Sequence, residues 1–345
     1  MTSSDSSHDS ASDRVAFVID IDGCLSREGV PIAGSSEALR KLQELGIPHV
    51  FCTNGGGSLE SDRAERLSRT FGVDVSGDQV VLSHTPLRTE VVRQFLDSRV
   101  LVVGEGCAPV ARAYGLSRAE GVREYGERHP SLFPMKRSTS ATDQDDKDDP
   151  VRAIVVFEDA EDLGEALQIS LDVLLTNGNP SGPRVLVDDE ESEQEVQVWF
   201  TNPDLTYAGL ARHPRLTQGS YRLCLETLFE SAISSASEKR KERRLKAMTV
   251  GKPTRFTGET ALGKLLAQCP DDTTQDDITV YTVGDNPYAD VALANTMGWK
   301  SALVRSGIWD GEVSELQEQA APTIVEDTFA HVVERILNAK SISNM

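Results

Sequence analysis

Two aspartates one residue apart, Asp20 and Asp22, follow five consecutive apolar residues, Val15 to Ile19. An apolar run of that kind reads as a strand buried on both faces of a parallel sheet. In such sheets ligands sit beyond the carboxyl ends of the strands, and Gly23 allows a sharp turn away from the pair. Two carboxylates this close repel unless a cation holds them, so the stretch points to a divalent metal and a phosphate. Taken alone, an Asp-x-Asp is more often a pair of solvated acids at a turn.

Two further apolar strands end in polar groups. Ile47 to Cys52 runs into Thr53-Asn54-Gly55-Gly56-Gly57 before a helix. A hydroxyl, an amide and a glycine-rich backbone at a helix N-terminus form an anion site, although an ordinary glycine-rich connection has the same composition. Thr279 to Val283 ends in Gly284-Asp285-Asn286-Pro287. Pro287 can open a helix that brings Asp290 back towards that strand end. Gly251-Lys252-Pro253 leaves a lysine fixed in a loop. Val80 to Leu82 ends in Ser83-His84-Thr85, where His84 reads more readily as a hydrogen-bonded loop histidine than as a base. Each feature is weak, but chance rarely assembles the ordered set.

A length of 345 residues suggests two domains, each able to bury a core. The net charge of -20 argues against a nucleic-acid or anionic-membrane binder. The five cysteines contain no Cys-x-x-Cys pair, so neither a zinc knuckle nor a disulfide framework is signalled, and a reducing compartment fits. Residues 1–14 read as a disordered tail resembling neither a secretory nor a transit signal. No stretch is long and apolar enough to span a membrane.

Between the polar strand ends, periodicity predicts the positioning elements. Ser35 is placed to cap a helix with inward Ala38, Leu39, Leu42 and Leu45, ended by Gly46. Val100 to Val103 opens a second α/β pattern that includes the strand Ala153 to Phe157. Leu163 to Leu171 follows as a helix, Val173 to Thr176 as a strand, and Asn177 to Pro180 as a turn. Val196 to Phe200 delivers Thr201-Asn202-Pro203-Asp204. Tyr221, Leu225, Leu228 and Phe229 make the inner stripe of a helix. The acidic runs Ser138 to Pro150 and Asp188 to Glu195 read as solvated excursions, and the basic cluster Glu238 to Lys246 as a solvated helix end.

The set resembles the haloacid dehalogenase superfamily of phosphohydrolases, whose four motifs match Asp20-Ile21-Asp22, Thr53-Asn54, Lys252 and Gly284-Asp285-Asn286-Pro287-Tyr288-Ala289-Asp290. Asp-Ile-Asp-Gly, Thr-Asn-Gly-Gly, Val-Leu-Ser-His-Thr-Pro, Leu-Asp-Val-Leu-Leu-Thr-Asn-Gly and Gly-Lys-Pro look like the class IIA branch, most like its cat eye syndrome critical region type subgroup. The resemblance implies an α/β fold, a Rossmann-like parallel-sheet core with an inserted α/β cap of C2 type. The core would comprise residues 15–98 and 251–345, and the cap 99–250.

It also implies a phosphomonoester hydrolase acting on a small phosphorylated metabolite. Asp20 would be the nucleophile and Asp22 the general acid and base. Mg²⁺ would be held by Asp20, the Asp22 main-chain carbonyl and Asp285, with Asp290 supporting that shell or Lys252. Thr53, Asn54 and Lys252 would hold the phosphoryl oxygens. Specificity is expected in the cap, with Asn202, Asp204, His213 and Arg215 as polar candidates. No nucleic-acid or membrane partner is expected, and a homo-oligomer through the cap is left open. The expected location is cytoplasmic, with mitochondrial as the alternative. The competing reading from another class is a binding or scaffolding protein that keeps the fold with little turnover.

Overall fold

A computed structural model describes residues 14–136, 147–207, 211–235 and 242–343. The main strands are β1 (Arg14–Ile19), β2 (His49–Cys52), β3 (Val80–Val81), β4 (Arg99–Val103), β5 (Ala119–Gly121), β6 (Val151–Val156), β7 (Gln197–Phe200), β8 (Ala247–Thr249), β9 (Ile278–Gly284), β10 (Lys300–Val304) and β11 (Ile324–Glu326). The longer helices are α1 (Ser35–Glu44), α2 (Glu60–Phe71), α3 (Cys107–Ala113), α4 (Leu163–Leu175), α5 (Gln218–Ser234), α6 (Arg255–Leu266), α7 (Ala292–Met297) and α8 (Phe329–Ser343). They form two compact units. Among the described residues, one comprises 14–52, 64–80 and 258–343, and the other comprises 53–63 and those within 81–257.

The first unit is a parallel α/β core of Rossmann-like topology, with strand order β11-β10-β9-β1-β2-β3. β1 lies in the middle, which is why its apolar run is continuous: Ala16 to Ile19 are fully buried. Ile19 pairs in parallel register with Val283 of β9 and with Phe51 of β2. The carboxyl ends of β1 and β9 are therefore level, and Asp20 donates its backbone N–H to the Val283 carbonyl at 2.8 Å. Helices α1 and α8 pack together beside this sheet.

The second unit, which contains the expected cap, is built on a parallel sheet of order β8-β7-β6-β4-β5. Alternate residues feed opposite cores. Leu101, Val103, Ile154 and Val156 pack with α4 and α5, whereas Val100, Val102, Ala153 and Val155 pack with α3. Consecutive parallel strands are thus covered on both faces, as the apolar runs demanded.

Four sequence expectations change. Ser35 does not cap α1: the cap is Gly34 in a left-handed conformation at φ 83°, and Ser35 is the first helical residue. A side-chain cap needs extended backbone at the capping position, which Gly34 does not adopt. Leu45 lies past the helix end and is 56% exposed, although Gly46 terminates the helix in left-handed conformation as expected. The strand expected over Val173–Thr176 is instead the last turn of α4, with Thr176 as its C-terminal cap. No breaker interrupts it after Leu171, and Ala166, Ile169, Ser170, Val173 and Leu174 keep a helical buried stripe. The helix ends only where Gly178, at φ 95°, donates to the Val173 carbonyl at 2.8 Å. In α5 the inner stripe is Tyr221, Leu225, Phe229 and Ile233, and Leu228 faces outward.

Arg14, counted with the tail, is the first residue of β1, and the rest of that tail lies outside the described residues. Most of the Ser138 to Pro150 run and residues 238–241 of the basic cluster also lie outside them. Within that cluster, Arg243 and Lys246 pair with Glu193, and Arg244 pairs with Glu230. The Asp188 to Glu195 run is exposed at every acid, as a solvated excursion requires. No helix among the described residues is long and apolar enough to cross a membrane.

Candidate active site

In the first unit, Asp20, Asp285 and Asp290 bring carboxylate oxygens within 4.8 Å of one another, and all three residues are buried. At an effective dielectric of about 20, each like-charged pair at that spacing costs roughly 3 kcal/mol, so a cation or protons must offset the repulsion. Asp20 is the residue after β1 and Asp285 the residue after β9, and the shared register of these strands places them side by side. Asp290 returns by another route. Asn286 caps a π-helical turn over Pro287–Val291 by accepting from the Tyr288 N–H, and the Asp290 carboxylate accepts the Asn286 N–H at 3.0 Å.

Glycines make room for this cluster. A Cβ on Gly307 would lie 1.8 Å from Asp285 Oδ2, one on Gly23 2.2 Å from the same atom, and one on Gly284 2.0 Å from Asp290 Oδ2. The Ile308 N–H also donates to Asp285 Oδ2 at 2.7 Å. Hard carboxylate oxygens in this number and spacing suit a divalent ion such as Mg²⁺ or Ca²⁺, and the glycine walls keep that space open.

Asp22 differs sharply from Asp20. Its side chain is exposed, and it stands at the start of a turn in which Gly23, at φ 90°, donates to the Ser26 carbonyl at 2.7 Å. A two-stranded ribbon, Ser26–Arg27 with Val30–Pro31, follows. It is tied down by Arg27 Nε donating to the Ser306 carbonyl and by Ser306 Oγ donating to the Gly23 carbonyl. Cys24 and Cys52 are buried packing residues.

In the second unit, Thr53, Asn54 and Lys252 are all buried. The Thr53 hydroxyl accepts the Gly55 N–H at 3.0 Å. Asn54 is bonded to the lysine loop: its Oδ1 accepts the Lys252 N–H at 2.7 Å, and its Nδ2 donates to the Lys252 carbonyl at 3.1 Å. Of the cap candidates, Asn202 is buried and Asp204 partly so, and Asp204 Oδ2 accepts from Asn54 Nδ2 at 3.0 Å. His213 and Arg215 are exposed on a small ribbon, with Arg215 donating to the His213 carbonyl.

His84 is hydrogen-bonded within a buried network. Its Nδ1 lies 2.8 Å from the Tyr114 hydroxyl, which donates to Glu60 Oε1 at 2.6 Å, and Thr85 donates to the same oxygen. Burial, only partly opposed by the Glu60 charge, lowers the His84 pKa to about 4, so the ring is neutral near pH 7. Burial also pushes the Tyr114 phenol upward, with Glu60 adding to the effect. Burial disfavours the Glu60 charge, yet the bonds from Tyr114 and Thr85 and the Arg88 charge leave its pKa lowered. Burial raises Glu158, whose carboxylate accepts the Gly56 N–H at 3.2 Å.

Sequence reasoning missed three contributors: Gly307 and Ile308, which shape the Asp285 pocket, and the pairing of Asp204 with Asn54. The one available signal for the first two was a Ser-Gly pair following the strand that neighbours β9.

A family profile described as haloacid dehalogenase-like hydrolase matches residues 17–117, and one described as HAD-hydrolase-like matches residues 249–332. A mitochondrial hydrolase of Saccharomyces cerevisiae is 30% identical over 94% of this chain and 96% of its own length. Among solved structures, a p-nitrophenyl phosphatase from Archaeoglobus fulgidus aligns over 94% of this chain and 99% of its own with a TM-score of 0.62 at 21% identity. A glycerol phosphate phosphatase from Mycobacterium tuberculosis, solved with magnesium, aligns over 93% of this chain and 76% of its own with a TM-score of 0.57 at 19% identity.

Proposed function

The chain belongs to the haloacid dehalogenase-like hydrolases, and from that premise we propose that it is a Mg²⁺-dependent phosphomonoester hydrolase acting on a small phosphorylated metabolite. The observation that carries the reading is the convergence of three buried carboxylates at the ends of neighbouring parallel strands. The p-nitrophenyl and glycerol phosphate phosphatases with this fold support the reaction class. Within the superfamily, the motif wording supports the class IIA branch and its cat eye syndrome critical region type, with the cap taken as residues 99–250.

Asp20 and Asp285, together with the Asp22 main-chain carbonyl, would hold the metal. Asp290 is close enough to share that task, besides fixing the Asn286 turn. The bound ion would neutralise charge on the phosphoryl oxygens and on the carboxylates around it. Asp20 attacks phosphorus through a carboxylate oxygen and displaces the ester oxygen, giving an aspartyl phosphate. Asp22, exposed at the start of its turn, protonates the departing oxygen and then takes a proton from the water that hydrolyses the intermediate. Thr53, the Asn54 backbone and Lys252 serve the phosphoryl oxygens.

The name of the yeast relative supports a mitochondrial location over a cytoplasmic one. The test is turnover of p-nitrophenyl phosphate and of a panel of phosphorylated metabolites by purified protein with and without Mg²⁺. Absence of phosphate release from every ester at millimolar Mg²⁺ would overturn the reading.

A further inference from the structure

Asn54 is held at both ends of its side-chain amide. Its Oδ1 accepts the Lys252 N–H, and its Nδ2 faces two acceptors, the Lys252 carbonyl and Asp204 Oδ2. The amide orientation is thereby determined, since the flipped form would set a donor against a donor and an oxygen against two oxygens. One Nδ2 hydrogen closes a ring with the Lys252 backbone, and the other needs an acceptor, which Asp204 supplies.

Asp204 is itself firmly placed. Its N–H donates to Asn202 Oδ1 at 2.8 Å, closing an Asx turn over Pro203. Its carbonyl accepts the Gly219 N–H at 2.9 Å. A Cβ on Gly219 would lie 2.4 Å from both the Pro203 and Asp204 carbonyl oxygens, so the first turn of α5 rests directly on this turn. Asn202 continues to Thr217 Oγ1 at 3.4 Å, and Thr217 donates to Asp159 Oδ1 at 2.6 Å. The lysine loop is pressed against the same segment, because a Cβ on Gly251 would lie 2.0 Å from the Thr201 carbonyl oxygen. A continuous chain of polar contacts thus joins the end of β6, the turn after β7, Asn54 and the Lys252 backbone.

We propose that Asp204 is a positioning residue, which holds the Asn54 amide and through it the backbone that presents Lys252, and that it does not select the substrate. The inference rests on the reading of Lys252 as a phosphoryl ligand. A specificity residue changes KM in a manner that depends on the leaving group. A positioning residue changes kcat alike for all esters, because a misplacement of about 1 Å costs on the order of 100-fold.

The test measures kcat and KM of full-length Asp204→Ala and Asp204→Asn on p-nitrophenyl phosphate and on glycerol phosphate, alongside urea unfolding of Asn54→Ala, Asp204→Ala and the double variant. Asp204→Ala should lose about 10- to 100-fold in kcat on both esters with KM moved less than about threefold. Asp204→Asn keeps an acceptor oxygen and should recover to within about fivefold of the parent. In unfolding, the two alanine substitutions should be non-additive by about fivefold in the equilibrium constant. Ester-dependent KM changes with kcat intact, or additive unfolding effects, would overturn the proposal. Absence of turnover in the parent protein would remove the Lys252 reading, and the unfolding cycle would still decide whether Asp204 holds Asn54.

Discussion

Asp20 and Asp22 look alike in the sequence but occupy opposite environments, one buried beside Asp285 and Asp290 and the other exposed at the mouth of a turn. In the proposed mechanism their roles separate accordingly. Asp20→Asn should abolish both turnover and a trappable phosphoenzyme. Asp22→Asn should slow the reaction about 10²- to 10⁴-fold while leaving the nucleophile able to react. The loss in the transfer step should be smaller for p-nitrophenyl phosphate than for an alkyl phosphate, because nitrophenolate departs with little protonation. Single-turnover rates on both esters check this, and equal losses would count against Asp22 as the acid. At the same scale, Gly307→Ala should act like a change to Asp285 itself, because the added methyl would occupy the position of its carboxylate oxygen. Raised Mg²⁺ demand with unaltered circular dichroism is the expected result.

The element that follows β3 carries a titratable group with a consequence for stability. His84 is neutral in the fold with a pKa of about 4, against an ordinary value of 6.5. Between those values the unfolded chain binds a proton that the folded chain does not. The His84 contribution to stability should therefore be flat above pH 6.5 and fall as the pH drops towards 4, by up to about 3 kcal/mol. His49, buried and likewise lowered, gives a slope of the same sign. Urea unfolding at pH 7 and pH 4.5 should show a smaller loss for His84→Gln than for the parent, and an unchanged loss would refute the assignment. The end of α4 is equally specific. Gly178 sits at φ 95° with its would-be Cβ 2.1 Å from the Val151 carbonyl oxygen, so Gly178→Ala should destabilise by about 2 kcal/mol or more through both backbone strain and collision.

For the molecule as a whole, metal binding and folding are linked. If Mg²⁺ binds the native carboxylate cluster and not the unfolded chain, a concentration 100 times its Kd should stabilise the fold by about 2.7 kcal/mol. The stabilisation should vanish in Asp285→Asn, read as the loss of a Mg²⁺-dependent rise in Tm. The net charge of -20 adds a general effect, since screening of self-repulsion by a neutral salt should raise Tm in both proteins and must be matched between samples. Deletion of residues 140–147, seven of whose eight side chains are polar or charged, should leave kcat/KM for a small ester within about tenfold of the parent.

The residue run of each motif, the strand leading into it and the turn residue leaving it are local properties. For that reason the sequence alone determined the parallel α/β class, the acidic and amide-bearing strand ends and the family likeness. Continuous apolar runs and glycines at φ-demanding turns follow from backbone sterics and burial, which act over a few residues. What the tertiary structure decided depends on partners far apart in the chain. Asp290 lies five residues after Asp285 and returns to that strand end through the turn over Pro287–Val291, yet its place beside Asp20 also requires the register of β1 with β9. Gly307 matters because a loop from β10 crosses the Asp285 carboxylate, and Asp204 matters because Asn54, 150 positions away, brings it an amide hydrogen. The same holds for Val173 to Thr176: β-branched and apolar residues favour a strand by propensity, but the continuous buried stripe of α4 against the sheet outweighs that preference, because packing energy exceeds the few tenths of a kcal/mol per residue that propensity supplies.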